Sequence, residues 1–182
     1  MMKSILICAA TVAVAASLVW AQQPGRRQPL SPPAETSVTI AGKALTIKYS
    51  APSVRGRKIF GEGGVVSQDS TYPVWRAGAN AATAFHTDAD LDIKGLAVPK
   101  GDYTIYVLVN AQPWQLIINK QTGQSGMTYG QNQDLGRVPM DMSKPPAPIE
   151  THKMTLSSTG ANAGKLQLEW ENTIASVPLT VK

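Results

Sequence analysis

Arg57, Lys58, Tyr72, Trp75, Arg76, Asn80 and Thr83 gather two guanidiniums, an ammonium, a phenol, an indole, an amide and a hydroxyl in one stretch of chain. Guanidinium groups fork carboxylates and phosphates bidentately, and an indole offers a broad apolar face with a polar handle. That equipment suits an anionic or sugar-like ligand. The same residues would also serve to tie down a long loop. Arg76 would then cap loop carbonyls, Asn80 would adopt left-handed backbone geometry and Trp75 would fill core. Both roles stay open at this level. A second polar, Gly-rich segment, residues 121–136, contains Met127, Tyr129 and Asp134. It is expected to lie beside the first as a recognition loop, adding Tyr129 to the candidate ligand-binding residues, or to be a surface excursion anchored by that tyrosine.

Other reactive groupings are thinner. His86, Asp88 and Asp90 share one parity of an extended run, and a histidine with carboxylates has the donors for a metal. Residues two apart on a strand sit roughly 6.5–7 Å from each other, too far for easy chelation by short side chains. Asp88, Asp90 and Asp92 imitate the start of a calcium loop, but Ile93 stands where its glycine should be and Pro99 where its glutamate should be. A solvated acidic face is the expectation. No Gly-x-Ser-x-Gly elbow occurs, and Gln124-Ser125-Gly126 is a loop. His152, two residues after Glu150, is expected at a rim. Glu62, Asp102, Asp134, Glu150, Glu169 and Glu171 offer many carboxylate pairs and no glycosidase signature. No catalytic residue, metal ligand or cofactor is therefore assigned.

The elements that must position these groups are strands. Charged residues make up 16% and apolar residues 43% of the 182-residue chain, enough apolar material for a core and too much for global disorder. Residues 1–21 have the form of a signal peptide: Lys3, an apolar run of about 16 residues that is short for a bilayer span, and Val19-Trp20-Ala21 before a cut at Gln22. Cys8 lies at the start of that run, not at its end where a lipidated cysteine belongs. Cleavage would leave no cysteine, no disulfide and no transmembrane segment. Residues 22–35, rich in Pro and Gln, are expected to form a disordered tether, and residues 36–182 a single domain. Beyond it the period is two: Val38 and Ile40; Leu45, Ile47 and Tyr49; Phe85, Ala89, Leu91 and Ile93; Met154 and Leu156 against Leu166, Leu168 and Trp170; Val177, Leu179 and Val181.

The run 103–109 is apolar on both parities, which predicts a central strand covered on both sides or lying under a loop. Turn chemistry at Gly42-Lys43, Lys94-Gly95 and residues 99–102 separates the runs. An all-β antiparallel sandwich of roughly eight strands follows, with Trp75, Trp114 and Trp170 as core anchors. The stretches 52–82 and 119–148 are expected to be irregular and, at that length, functional or disordered. The formal charge of +5 is scattered, without the basic stripe and interleaved aromatics that nucleic acid needs.

The run 52–61 (Pro-Ser-Val-Arg-Gly-Arg-Lys-Ile-Phe-Gly), Val74-Trp-Arg-Ala-Gly-Ala-Asn80 with Thr83, Leu96-Ala-Val-Pro-Lys-Gly-Asp-Tyr103, Trp114-Gln-Leu-Ile-Ile-Asn-Lys120 and Leu168-Glu-Trp170 together resemble a bacterial exported family, domain of unknown function 2911. The resemblance spans most of residues 36–181. It implies an exported β-rich domain and supplies no activity. Where it implies Asn-Glu-Ala-Thr, this chain has Asn80-Ala81-Ala82-Thr83, without the carboxylate, and residues 65–72 also depart from its pattern. Taken together, the expectation is a non-catalytic binding or interaction module of the cell envelope, periplasmic or extracellular. Its partner would be a small molecule, a glycan or an envelope protein. A hydrolase with an unorthodox site and a purely structural component are the alternatives.

Overall fold

The computed structural model describes residues 30–182. The expected leader, and residues 22–29 of the expected tether, lie outside the described residues. The described chain forms strands β1 (Pro33–Ile40), β2 (Lys43–Ser50), β3 (Val74–Trp75), β4 (Thr83–Thr87), β5 (Leu91–Ile93), β6 (Leu96–Val98), β7 (Gly101–Leu108), β8 (Gln115–Asn119), β9 (Asp134–Pro139), β10 (Asp141–Ser143), β11 (Ile149–Ser158), β12 (Ala163–Glu171) and β13 (Thr173–Val181). They build two antiparallel sheets. The first has the order β1-β2-β4-β7-β8-β9 with β3 also on β7; the second has β11-β12-β13-β5-β6 with β10 also on β13. The all-β sandwich is thus the architecture, with more and shorter strands than the roughly eight that periodicity suggests. β1 starts at Pro33, paired with Ser50, ahead of the domain start read at residue 36. Among the described residues no helix is long and apolar enough to cross a membrane.

Alternation of side chains decides what each sheet buries. Leu45 and Ile47 of β2, Phe85 of β4, Ile105 and Val107 of β7, and Leu116 and Ile118 of β8 face inward. They meet Met154, Leu156, Leu166, Leu168, Val177 and Leu179 from the second sheet in one core. Trp75, Trp114 and Trp170 are all buried in it. Tight hairpins set two registers. Ala41 and Gly42 have positive φ between the paired Ile40 and Lys43, as do Lys94 and Gly95 between Ile93 and Leu96. Positive φ at both central residues is the hairpin turn that matches strand twist.

The run from Phe85 to Ile93 crosses between sheets. β4 belongs to the first and β5 to the second. At the corner Thr87 Oγ1 donates to Ala89 O at 2.8 Å and accepts from Ala89 N at 3.2 Å. Phe85, Thr87, Ala89, Leu91 and Ile93 stay buried throughout, so the alternation continues unbroken around the bend.

β7 is paired by β4 and β3 on one side and β8 on the other. Its outward Tyr106 is fully buried with Ile117 and Val74, and Tyr129 of the long loop packs over them. The two-sided apolar pattern of residues 103–109 arises because a loop covers half of that outer face. The other half is bare, and it forms the site described next.

Candidate functional site

Cross-strand register lines up polar groups on the outer face of the first sheet. Thr46 of β2 is opposite His86 of β4, and His86 is opposite Asp102 of β7. In the next row Lys48 is opposite Ala84, and Ala84 opposite Thr104. These side chains share a face because each strand alternates, and they sit side by side because paired Cβ atoms lie roughly 5 Å apart.

Residues 121–126 raise a wall along one side. Thr104 Oγ1 donates to Gln121 O and Tyr106 Oη to Thr128 O, both at 2.7 Å. With their protons so used, both hydroxyl oxygens accept from Gln124 Nε2, at 3.2 and 3.0 Å. The amide of Gln124 is therefore held in one orientation, and its Oε1 has no protein partner. The wall is stitched to the other long loop: Gly126 N donates to Asn80 O at 3.2 Å, and Ala81 bridges to Ser125. A Cβ on Gly126 would collide with Asn80 O and the Arg76 side chain, so only glycine permits this approach. Floor and wall enclose an open cleft of about 540 Å³ lined by Thr46, Lys48, Ala84, His86, Asp102 and Gln124 among others. Ala81 and Ala82 complete its rim; position 81 is where the resemblance implies a glutamate.

His86 is the most constrained titratable group in the cleft. Its Nδ1 lies 2.8 Å from Asp102 Oδ1 and its Nε2 3.0 Å from Asp88 Oδ1. Donation to both carboxylates requires both ring N–H groups, hence the imidazolium. The hydrogen bond to Asp102, then that to Asp88, raises the His86 pKa above 6.5, and the bond to His86 lowers that of Asp88. The strand ends at Thr87 and the chain bends at Asp88, which closes the separation that a straight strand would leave. Asp90 is spent elsewhere, accepting from Lys100 N at 2.8 Å. Among the described residues no group of three or more His, Cys, Asp or Glu is arranged to hold a metal ion.

The eight residues singled out from the sequence lie outside this cleft. Arg57 gives Nη2 to Ser53 O at 2.6 Å and Nε to Val54 O at 3.0 Å, and Lys58 caps Glu62 O at 2.6 Å. Trp75 is buried and donates Nε1 to Gly78 O at 3.1 Å. Arg76 pairs with Asp69 at 2.7 Å, both mostly buried, and its Nε has no partner. Asn80 has φ of 60°, and the buried Thr83 donates to Ala77 O at 3.1 Å. Tyr72 is exposed. Arg57, Trp75 and Arg76 do converge on a smaller hollow of about 120 Å³. Tyr129 stands apart in an internal trio. Its hydroxyl donates to Asp134 Oδ2 and accepts from Arg137 Nη2, both at 2.7 Å, and burial, then the bond to Asp134, pushes its pKa up to about 12.

His152 corrects an expectation. It is not at a rim but 1% exposed, ringed by Tyr49, Trp75 and Trp170 at centroid distances of 5.4, 5.1 and 5.6 Å. Nε2 donates to Ala77 O at 3.0 Å, Nδ1 has no partner, and burial holds the pKa down at about 4. Its parity with Met154 and Leu156, both inward, is the signal that outweighs its charged neighbours.

The model of the family described as a protein of unknown function, DUF2911, matches residues 31–179. No curated protein and no solved structure matches the chain.

Proposed function

Because the chain belongs to the DUF2911 family of proteins of unknown function, we propose its role from the site: a non-catalytic binding module of the cell envelope, whose ligand seats in the cleft on β2, β4 and β7. The observation that carries this reading is the cleft itself. Its volume of about 540 Å³ falls in the roughly 300–1,000 Å³ of small-ligand sites, and its polar groups are fixed before any ligand arrives. Arg57, Lys58 and Arg76 spend donors on the protein's own carbonyls and carboxylate, which favours the cleft over their loop as the contact surface. The envelope assignment draws on the leader-like composition of residues 1–21. It is checked by fractionating cells that express the full chain and sequencing the N-terminus, which is expected to begin at Gln22.

A thermal-shift screen with sugars, peptidoglycan fragments, short peptides and divalent metals tests the binding role. At least one class is expected to raise the melting temperature of the wild type but not of Asp102→Ala. A screen with no such class overturns it.

A hydrolytic reading has one observation in its favour, the His86–Asp102 contact at 2.8 Å in a concave site. It ranks second because both ring nitrogens already face carboxylates, leaving no free lone pair for a general base. Turnover of a screened substrate that disappears in His86→Ala would promote it.

A further inference from the structure

We propose that the ligand of this cleft is a short stretch of saccharide, held through its hydroxyls by the exposed Lys48 and Asp102, with His86 fixing the Asp102 carboxylate; the proposal rests on the binding role argued above. The first argument is topological. β2, β4 and β7 are interior strands of the first sheet, each paired on both sides. Their backbone N–H and C=O groups are consumed in ladders, so an extended peptide cannot add to the sheet here as it would at an edge. Recognition falls to side chains standing on the face.

The second argument is charge. The cations and anions around the floor interleave. Lys48 is 3.8 Å from Glu35, and His86 sits between Asp88 and Asp102. A phosphate or polyanion drawn to Lys48 and His86 would meet three carboxylates. A hydroxyl donates and accepts at once, so a polyhydroxylated, uncharged ligand can satisfy Lys48 as an acceptor and Asp102 as a donor, while both N–H groups of His86 stay on Asp102 and Asp88.

The third argument is shape. Ala81, Ala82 and Ala84 give the cleft small methyl groups, leaving room for a ring and apolar contact for its C–H face. Phe85 and Tyr103, the aromatic residues along the lining, are buried in the core, and the exposed Tyr72 lies outside it, so binding would depend on hydrogen bonds more than on ring stacking. Affinity in the millimolar range is expected from that.

The test is an NMR titration of the ¹⁵N-labelled protein with chitotriose, cellotriose, maltotriose, trialanine and inorganic phosphate, each to about 10 mM, some tenfold above a millimolar Kd. Amides of β4, β7 and residues 121–125 are expected to shift saturably with one or more of the trisaccharides. Asp102→Ala and Lys48→Gln, both at exposed side chains, are expected to weaken that binding about tenfold or more, with the rest of the spectrum unchanged. If the cleft amides respond to trialanine or phosphate and to no saccharide, the ligand class is overturned and the binding role survives. If they respond to none of the five, the saccharide assignment falls as well, and the binding role is decided by the thermal-shift screen above.

Discussion

His152 and His86 show how one side-chain type takes opposite roles in one domain. His152 has lost its water, and burial lowers its pKa from 6.5 to about 4. The unfolded chain takes up that proton first as pH falls. The stability His152 allows is therefore complete above about pH 6.5 and declines as pH drops toward 4, by roughly 3 kcal/mol in all. Urea unfolding of wild type and His152→Gln across that range isolates the effect, because glutamine can still donate to Ala77 O and does not titrate. The wild type is expected to lose stability relative to the variant on acidification; parallel curves would refute the assignment. His86 has the reverse sign. Its pKa is raised by Asp102 and Asp88, so its contribution is present below 6.5 and fades as pH rises through the folded value. The chain showed His86 beside Asp88 but could not show Asp102, because the pairing of β4 with β7 is not a hairpin and leaves no local trace. His152 was legible through its parity, yet Glu150 and Lys153 on either side suggest a surface.

At the scale of elements, two sheet edges need a partner that no ladder supplies. β1 ends the first sheet and β11 the second, and hydroxyls of Thr36 on β1 and Tyr49 on β2 reach across to β11. Leu156 N donates to Thr36 Oγ1 and Met154 N to Tyr49 Oη, both at 3.0 Å. Such caps leave fewer open N–H groups on an edge strand, where unpaired groups invite association. Tyr49→Phe keeps the ring and removes the acceptor, so it is expected to cost about 1–3 kcal/mol and to speed hydrogen exchange at the Met154 amide. Unchanged exchange there would mean that the seam does not depend on this bond. Alternation made most strands readable, but it could not reveal the split between β4 and β5, since the corner preserves parity. β9 was hidden for another reason. Its burial does not alternate, and Gly136, which pairs with Ile118, is packed so closely by the Leu96 methyls that a Cβ would have to displace them. A glycine in a polar run carries a turn signal in sequence, and only the neighbouring strand makes it part of a sheet.

The whole molecule closes around aromatic rings contributed from both layers. Trp75 comes from the first sheet and Trp170 from the second, stacked with centroids 5.8 Å apart and planes 21° from parallel. Phe60, from the irregular stretch 52–82, sits 5.4, 4.7 and 5.7 Å from Trp75, Trp114 and Trp170. The tryptophans were legible as anchors from composition alone. That Ile59, Phe60 and Val66 plug the core from a loop was not, because no period runs through them. Since these rings tie both sheets and the loop together, the domain has no half that retains a complete core, and it should unfold as one unit. Trp75→Ala is expected to cost about 3–5 kcal/mol, a large share of the roughly 5–15 kcal/mol typical of domains, and Trp75→Phe less. In urea, the midpoint should fall in the order wild type, Trp75→Phe, Trp75→Ala, with tryptophan emission and far-ultraviolet circular dichroism changing together in each. A separate, earlier change in emission would instead show that the ring cluster melts as a local unit, with the sheets standing without it.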